Sequence, residues 1–296
     1  MNTRDQAARR GALIAIGGSE DKTLDAEILQ CVLALARDDK PCVGVITTAS
    51  GIPDRVFESY EEVFLRLGAT VVHHVNIRER TDANDAENVA LIRECGVIFM
   101  SGGDQMRLTN TLGASEALDA IRERHAEGAV VAGTSAGAAC MSSTMIYGGG
   151  DRDDSLRKGA VRMTAGLAFV HNMIIDSHFL QRGRFTRLME AGATNPEILG
   201  IGIGEDAGVI LDGGEILEAI GPGHVIIVDS RNIIGSNVAD IVAGEAVTVH
   251  NVTMHALISG YGFDVKANKV IHPDEMKTGK SREAVEDSRT QGAARA

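Results

Sequence analysis

The strongest constraint on the fold is a rhythm. Over roughly the first two-thirds of the 296 residues, short apolar runs alternate with stretches of helical periodicity. Runs at 12–16, 43–47, 69–75, 97–100 and 129–132 read as strands. Residues 24–37, 56–67, 86–95 and 114–127 carry apolar side chains at helical spacing. Such alternation predicts an α/β fold, a mostly parallel sheet with helices on both faces. Ligands on these sheets bind beyond the carboxyl ends of the strands. Three glycine clusters fall there: Gly17-Gly18, Gly102-Gly103, and Gly133 with Gly137.

After about residue 197 the texture changes to short strand-like runs, such as 209–211, 225–228 and 246–249, separated by Gly, Asp and Asn turns. We expect these to form the far edge of the same sheet with an added antiparallel segment. No linker or repeat divides the chain, so residues 11–272 are expected to be a single α/β domain. Residues 1–10 form a polar segment. The apolar-poor, mixed-charge tail at 273–296 is expected to be disordered.

Composition narrows the function. Trp is absent and aromatic residues make up 3%, too few for a base-stacking platform. A formal net charge of −12 disfavours polyanions and suits a cationic or zwitterionic partner, although it also serves solubility alone. No nucleic acid or membrane partner is expected. The first apolar run is too short for a secretory signal, and none approaches a membrane span. Cys31, Cys42, Cys95 and Cys140 have neither metal-knuckle nor CxxC spacing and read as buried thiols in a reducing compartment. These features predict a cytoplasmic protein. The histidines lack H-E-x-x-H spacing, so no metal site is expected.

Gly133-Thr134-Ser135-Ala136-Gly137 fits G-x-S-x-G between a strand and a helix, the setting of a nucleophile elbow. There the Ser135 hydroxyl stands clear of the sheet, and the backbone N–H of Ala136 faces a developing oxyanion. Gly102 and Gly103 offer bare backbone for a second oxyanion donor, or simply make a tight turn. Asp104 is placed to cap the next helix, and Gln105 either joins that helix or contacts substrate. A serine hydroxyl needs a base at neutral pH, and His178 ends an apolar run in the polar cluster Asp176-Ser177-His178. Arg182, Arg184 and Arg187 follow, either as a solvated helix face or as a site for substrate carboxylates. A carboxylate is needed to orient the histidine, and both Glu205 and Asp206 are candidates; in a continuing strand only one of them faces it. The glycine-rich stretch 147–154 ends in Asp153 and Asp154, which read as an exposed turn or as groups for a substrate guanidinium.

These motifs resemble, in order, those of the serine peptidase family that holds cyanophycinases and aspartyl dipeptidases. The resemblance runs through Gly17-Gly18-Ser19-Glu20-Asp21-Lys22, Gly102-Gly103-Asp104-Gln105 and Gly133 to Ala138. It continues through Ile175 to Phe179, Arg182-x-Arg184-x-x-Arg187-Leu188 and Gly200 to Ile203, covering most of residues 11–272. It implies a fold similar to class I glutamine amidotransferases and a triad of Ser135, His178 and Glu205. It further implies substrate contacts from Gln105, Asp176, Ser177, Arg182, Arg184 and Arg187, no cofactor, and a homodimer. The implied reaction is exopeptidic release of β-aspartyl-arginine from cyanophycin, a poly-aspartate carrying arginine. Two positions depart from the family pattern: Ser177 stands where Gln is usual, and Gly204 where Asp is usual. The alternatives are an aspartyl or isoaspartyl dipeptidase of the same family and a non-catalytic binding protein on this fold. A glutamine amidotransferase is disfavoured because position 135 is Ser rather than Cys.

Overall fold

The computed structural model describes residues 10–38, 41–150, 156–212 and 215–276. Asp153 and Asp154, with most of both terminal segments, lie outside these residues. Five strands lie in parallel: β1 (Leu13–Ile16), β2 (Cys42–Ile46), β3 (Val71–Val75), β4 (Val97–Met100) and β5 (Val130–Thr134), in the order β1-β5-β4-β2-β3. Between them run α1 (Glu27–Ala34), α2 (Pro53–Arg66), α3 (Ala86–Glu94), α4 (Gln105–Leu112) and α5 (Glu116–Glu127).

Both faces of this sheet are covered, because alternate residues of each strand enter different cores. Ile14, Ile16, Val43, Val45, Val97 and Phe99 pack with Ile28 and Leu29 of α1 and Phe64 of α2. Their neighbours Leu13, Ala15, Ile46, Ile98, Met100 and Val131 pack with Ile92 of α3, Leu108 of α4 and Ile121 of α5. Each fully buried Ile, Leu or Phe contributes about 1.5–3 kcal/mol relative to exposure.

The periodicity at 114–127 missed α4, a separate helix. Asp104 caps it by accepting from the Met106 N–H (2.8 Å), and Ser115 caps α5 by accepting from the Leu118 N–H (3.2 Å). Between them Ala114 takes φ +53°, which breaks the helical path.

After β5 come α6 (Ala136–Ala139), the hairpin of β6 (Thr144–Gly148) and β7 (Arg162–Ala165), β8 (Met173–Asp176), α7 (Phe185–Thr194) and β9 (Leu199–Ile203). Next are β10 (Gly208–Asp212), β11 (Ile216–Ile220), β12 (Val225–Asp229), β13 (Gly235–Ser236), β14 (Val249–His250), β15 (Thr253–Leu257), β16 (Gly262–Asp264) and β17 (Lys269–Ile271). Strands β10, β11, β16 and β17 extend the β1 edge antiparallel and complete a nine-stranded sheet. The expectation of a single sheet needs correction, however. A separate four-stranded sheet has the order β15-β12-β9-β8, with β8 and β9 parallel and the other pairs antiparallel. The two sheets share one core: Ile175, Ile201 and Ile227 pack in the same cluster as Leu13 and Val131.

Candidate active site

Strand β5 ends at Thr134, and Ser135 follows with φ +52° and ψ −108°, outside the regions an L-residue ordinarily occupies. Close packing leaves the turn little choice. A Cβ on Gly133 would lie 2.4 Å from the Gly137 carbonyl oxygen, and one on Gly137 would lie 2.2 Å from that of Met100. The Ser135 N–H is held by the Ile16 carbonyl oxygen at 2.9 Å.

His178 and Glu205 come from the other sheet. Strands β8 and β9 are parallel neighbours with Asp176 opposite Gly202, so both chains leave the sheet side by side. Two residues past β8 stands His178; two past β9 stands Glu205. His178 takes φ +47°, and its N–H donates to the Gly17 carbonyl oxygen at 2.8 Å. The ring joins the two carboxyl-terminal strand edges: its Nε2 lies 2.9 Å from Ser135 Oγ, and its Nδ1 lies 2.7 Å from Glu205 Oε1. An ionised carboxylate only accepts, so Nδ1 carries the hydrogen and donates to Glu205. That leaves the Nε2 lone pair to accept from the Ser135 hydroxyl. The imidazole side chain is 13% exposed and the Glu205 side chain 36%, so the ring is shielded while the carboxylate still meets water.

Glu205 and Asp206 are separated by the backbone, not by strand alternation. Strand β9 stops at Ile203, and Asp206 adopts φ +49°. Glu205 thus faces His178, while Asp206 Oδ1 accepts from the Asp21 N–H at 3.0 Å. Gln181 Oε1 in turn accepts from the Glu205 N–H at 3.0 Å. Gly17 and Gly18 lie between the two sheets at the end of β1. A Cβ on Gly18 would lie 2.4 Å from His178 Cε1.

Of the expected oxyanion residues, Ala136 and Gly102 adjoin Ser135, while the closest packing of Gly103 is against Ala49. Ala136 is next to Ser135 in sequence, and a Cβ on Gly102 would lie 3.2 Å from Ser135 Cβ. Gly103 has φ +144° and approaches the Ala49 carbonyl so closely that a Cβ would lie 2.1 Å from its oxygen. Gln105, in the first turn of α4, donates from Nε2 to the Ile146 carbonyl oxygen at 3.0 Å.

The basic run divides. Arg182 is exposed, whereas Arg184 and Arg187 are buried against the buried Asp176. Arg184 Nη1 donates to Asp176 Oδ1 at 3.1 Å and to the Ser177 carbonyl oxygen at 2.7 Å. Arg187 Nε donates to Asp176 Oδ2 at 2.5 Å, and its Nη2 donates to Asp176 Oδ1. Arg187 makes the fork–fork pair with Asp176, and Arg184 adds a single bond to the same carboxylate. The Ser177 side chain is buried beside this cluster.

The motif at residues 17–22 supplies groups whose part the sequence did not reveal. Glu20 is buried and accepts from Thr134 Oγ1 at 2.7 Å and from the Tyr60 hydroxyl. Lys22 Nζ lies 3.3 Å from Glu20 Oε1 and 4.7 Å from the Tyr60 ring centroid. Burial, and then the Glu20 charge, push the Tyr60 phenol well above its ordinary pKa. The Asp21 carboxylate accepts from the Ala26 N–H (2.8 Å) and the Thr23 N–H (2.9 Å), which hold its pKa far below the usual carboxylate range. The signal for these residues was the unbroken Ser-Glu-Asp-Lys after Gly-Gly, but their partners are distant in sequence.

This arrangement stands beside clear likenesses to known proteins. The model of peptidase family S51 matches residues 13–219. The chain belongs to peptidase family S51. It is 35% identical over 272 residues to a cyanophycinase of Nostoc sp. (strain PCC 7120), covering 92% of this chain and 91% of that protein. It is 33% identical over 271 residues to a cyanophycinase of Synechococcus elongatus, covering 91% and 84%. Against a cyanophycinase of Geminocystis herdmanii the identity is 35% over 261 residues, covering 88% and 96%. The solved structure of a peptidase from an acI-B1 Actinobacterium superimposes with a TM-score of 0.64 at 20% identity, covering 88% of this chain and 99% of that one. That likeness shows the peptidase to share this mixed α/β fold. As a member of family S51 the chain is a hydrolase that cleaves peptide bonds. Among the described residues no helix is long and apolar enough to cross a membrane.

Proposed function

We propose that this S51 peptidase is a serine exopeptidase that degrades cyanophycin to β-aspartyl-arginine dipeptides, with Ser135 as nucleophile, His178 as base and Glu205 as the orienting acid. The observation that carries the reading is the continuous relay from Ser135 Oγ through His178 to Glu205, at 2.9 and 2.7 Å, in a chain whose curated relatives are named cyanophycinase. In this cycle His178 Nε2 takes the hydroxyl proton while Ser135 Oγ attacks the peptide carbonyl carbon. The resulting oxyanion is held by backbone N–H groups of Ala136 and of Gly102 or Gly103. Collapse breaks the C–N bond, His178 returns the proton to the leaving amine, and an acyl-enzyme remains. Water, deprotonated by His178, then releases the acid product. No cofactor takes part.

Gln105, Asp176, Ser177, Arg182, Arg184 and Arg187 are the substrate-contact set of this reading. Exposed Arg182 is the cation best placed to meet a substrate carboxylate, while the Asp176, Arg184 and Arg187 cluster with Ser177 shapes the wall behind His178. The net charge of −12 favours a polymer bearing guanidinium groups. The same reading makes residues 11–272 one peptidase domain related to class I glutamine amidotransferases, acting in the cytoplasm as a homodimer.

The test is incubation of purified cyanophycin with the wild-type protein and with Ser135→Ala. Release of β-aspartyl-arginine by the wild type alone is the expected result. Cleavage of Asp-X dipeptides with no attack on the polymer would overturn the substrate assignment, and equal release by Ser135→Ala would overturn the nucleophile.

A further inference from the structure

The loop leaving β1 grips the nucleophile turn at two points. Ile16, its last strand residue, accepts the Ser135 N–H at 2.9 Å. Four residues later, Glu20 Oε2 accepts the hydroxyl of Thr134 at 2.7 Å. The two anchors hold Thr134 and the backbone N–H of Ser135, on the amino-terminal side of the strained Ser135 conformation. Such a conformation persists only where the surroundings over-determine it.

Glu20 is suited to this task as a neutral side chain is not. It is 4% exposed, and two hydroxyls, those of Tyr60 and Thr134, donate to its separate oxygens. A carboxylate accepts at both oxygens and donates nothing, so both hydroxyl hydrogens are fixed toward it. Burying its charge is costly unless it is paired, and Lys22 Nζ supplies the pairing at 3.3 Å from the water side. The network thus spans α2, the loop after β1 and the end of β5, and it terminates one residue before the nucleophile.

We propose that Glu20 is a positioning residue for catalysis, holding Ser135 Oγ in line with His178 through the Thr134 hydroxyl. The proposal rests on the reading of Ser135 as nucleophile. Loss of the Thr134 anchor lets the turn relax, which lengthens the Oγ–Nε2 contact without altering the substrate wall. It therefore lowers kcat and leaves KM in place.

The test compares Thr134→Val, Thr134→Ser and Ser115→Ala in the full chain. The readouts are melting temperature, the rate of Ser135 modification by a small fluorophosphonate, and kcat and KM on cyanophycin. Thr134→Val deletes the anchoring hydroxyl, Thr134→Ser keeps it, and Ser115→Ala removes a buried cap hydrogen bond on α5. We expect Thr134→Val to slow Ser135 modification and kcat by ~10-fold or more, since small misplacements of reacting groups are costly. Thr134→Ser should restore most of the rate, and Ser115→Ala should lose stability without losing kcat. Equal modification rates in Thr134→Val and the wild type would overturn the inference. So would a kcat loss that merely tracks melting temperature across all three variants. Failure of the wild type to be modified at Ser135 would remove the nucleophile assignment beneath it, a different result from either. Glu20→Gln, which keeps an acceptor but loses the charge, should fall between Thr134→Val and the wild type in modification rate; full wild-type reactivity there would exclude a need for the carboxylate.

Discussion

Gly18→Ala is a small change that should disable the proposed triad without substituting any of its members. Two separable effects follow from the geometry. Gly18 has φ +101°, so any L side chain there is strained, at a cost of ~1–3 kcal/mol. The second effect is steric. The new Cβ would sit 2.4 Å from His178 Cε1 and 2.5 Å from Nε2, whereas ordinary contacts begin near 3.4 Å. The ring must therefore retreat by about 1 Å, enough for a ~100-fold loss of rate in a positioned reaction. Little room exists for the loop to give way instead, because the Gly18 carbonyl oxygen accepts the Asp206 N–H at 3.0 Å and Gly17 is bonded to His178. Gly68→Ala supplies the control: Gly68 has φ +106°, and nothing lies within 4 Å of its Cβ position. Both variants should lose stability in urea unfolding, Gly18→Ala the more because the clash adds to the strain, but only Gly18→Ala should lose turnover of cyanophycin. Wild-type kcat in Gly18→Ala would refute the reasoning, since the imidazole would then have to work from a different place.

Four further outcomes are expected. Glu205→Gln should reduce kcat by ~10²–10⁴-fold, because the amide no longer enforces an Nδ1–H tautomer; a pH–rate profile for the residual activity checks it. Asp176→Ala should cost ~3–5 kcal/mol in chemical denaturation, since it leaves Arg184 and Arg187 buried without their shared counter-charge. Asp21→Ala should destabilise the protein with a definite pH signature. The Asp21 pKa is depressed in the fold by the Ala26 and Thr23 N–H groups. Its stabilisation is therefore fully present above about pH 5, and the gap between wild type and variant should close as pH falls through and below the carboxylate range; melting curves across that range decide. Burial pushes Cys31 and Cys140 up to about 12, so a thiol reagent near pH ~8 should leave both unmodified until the protein is denatured, as peptide mass mapping would show.

The legible parts of the site were the local ones. G-x-S-x-G encodes its own geometry, because the small residues permit the packing that forces the turn. His178 was singled out from its place at a strand end, and the fold brings its ring within 2.9 Å of Ser135 Oγ. Which acid faces it was not legible, since that depends on β9 stopping at Ile203 and on the positive φ of Asp206. The second sheet was hidden for a related reason: the apolar runs of β8 and β9 look like those of β1 and β5, and nothing local says which strands they will join. Arginines read by default as solvent-facing, so the burial of Arg184 and Arg187 on Asp176 appears only in three dimensions. Glu20 was visible as part of a motif, but its partners Tyr60 and Thr134 lie 40 and 114 residues away.

The division of the proposed triad between two sheets bears on when the chain becomes able to cut. Ser135 is made with the first sheet, but its proposed base and acid follow β8 and β9, and β9 is flanked by β12, which ends at Asp229. During synthesis the serine emerges well before its partners. On the proposed assignment, a nascent or partly opened chain carries Ser135 with no His178 in reach to deprotonate it. If Ser135, His178 and Glu205 act together as proposed, hydrolytic competence arises only once both halves of the core have closed on each other.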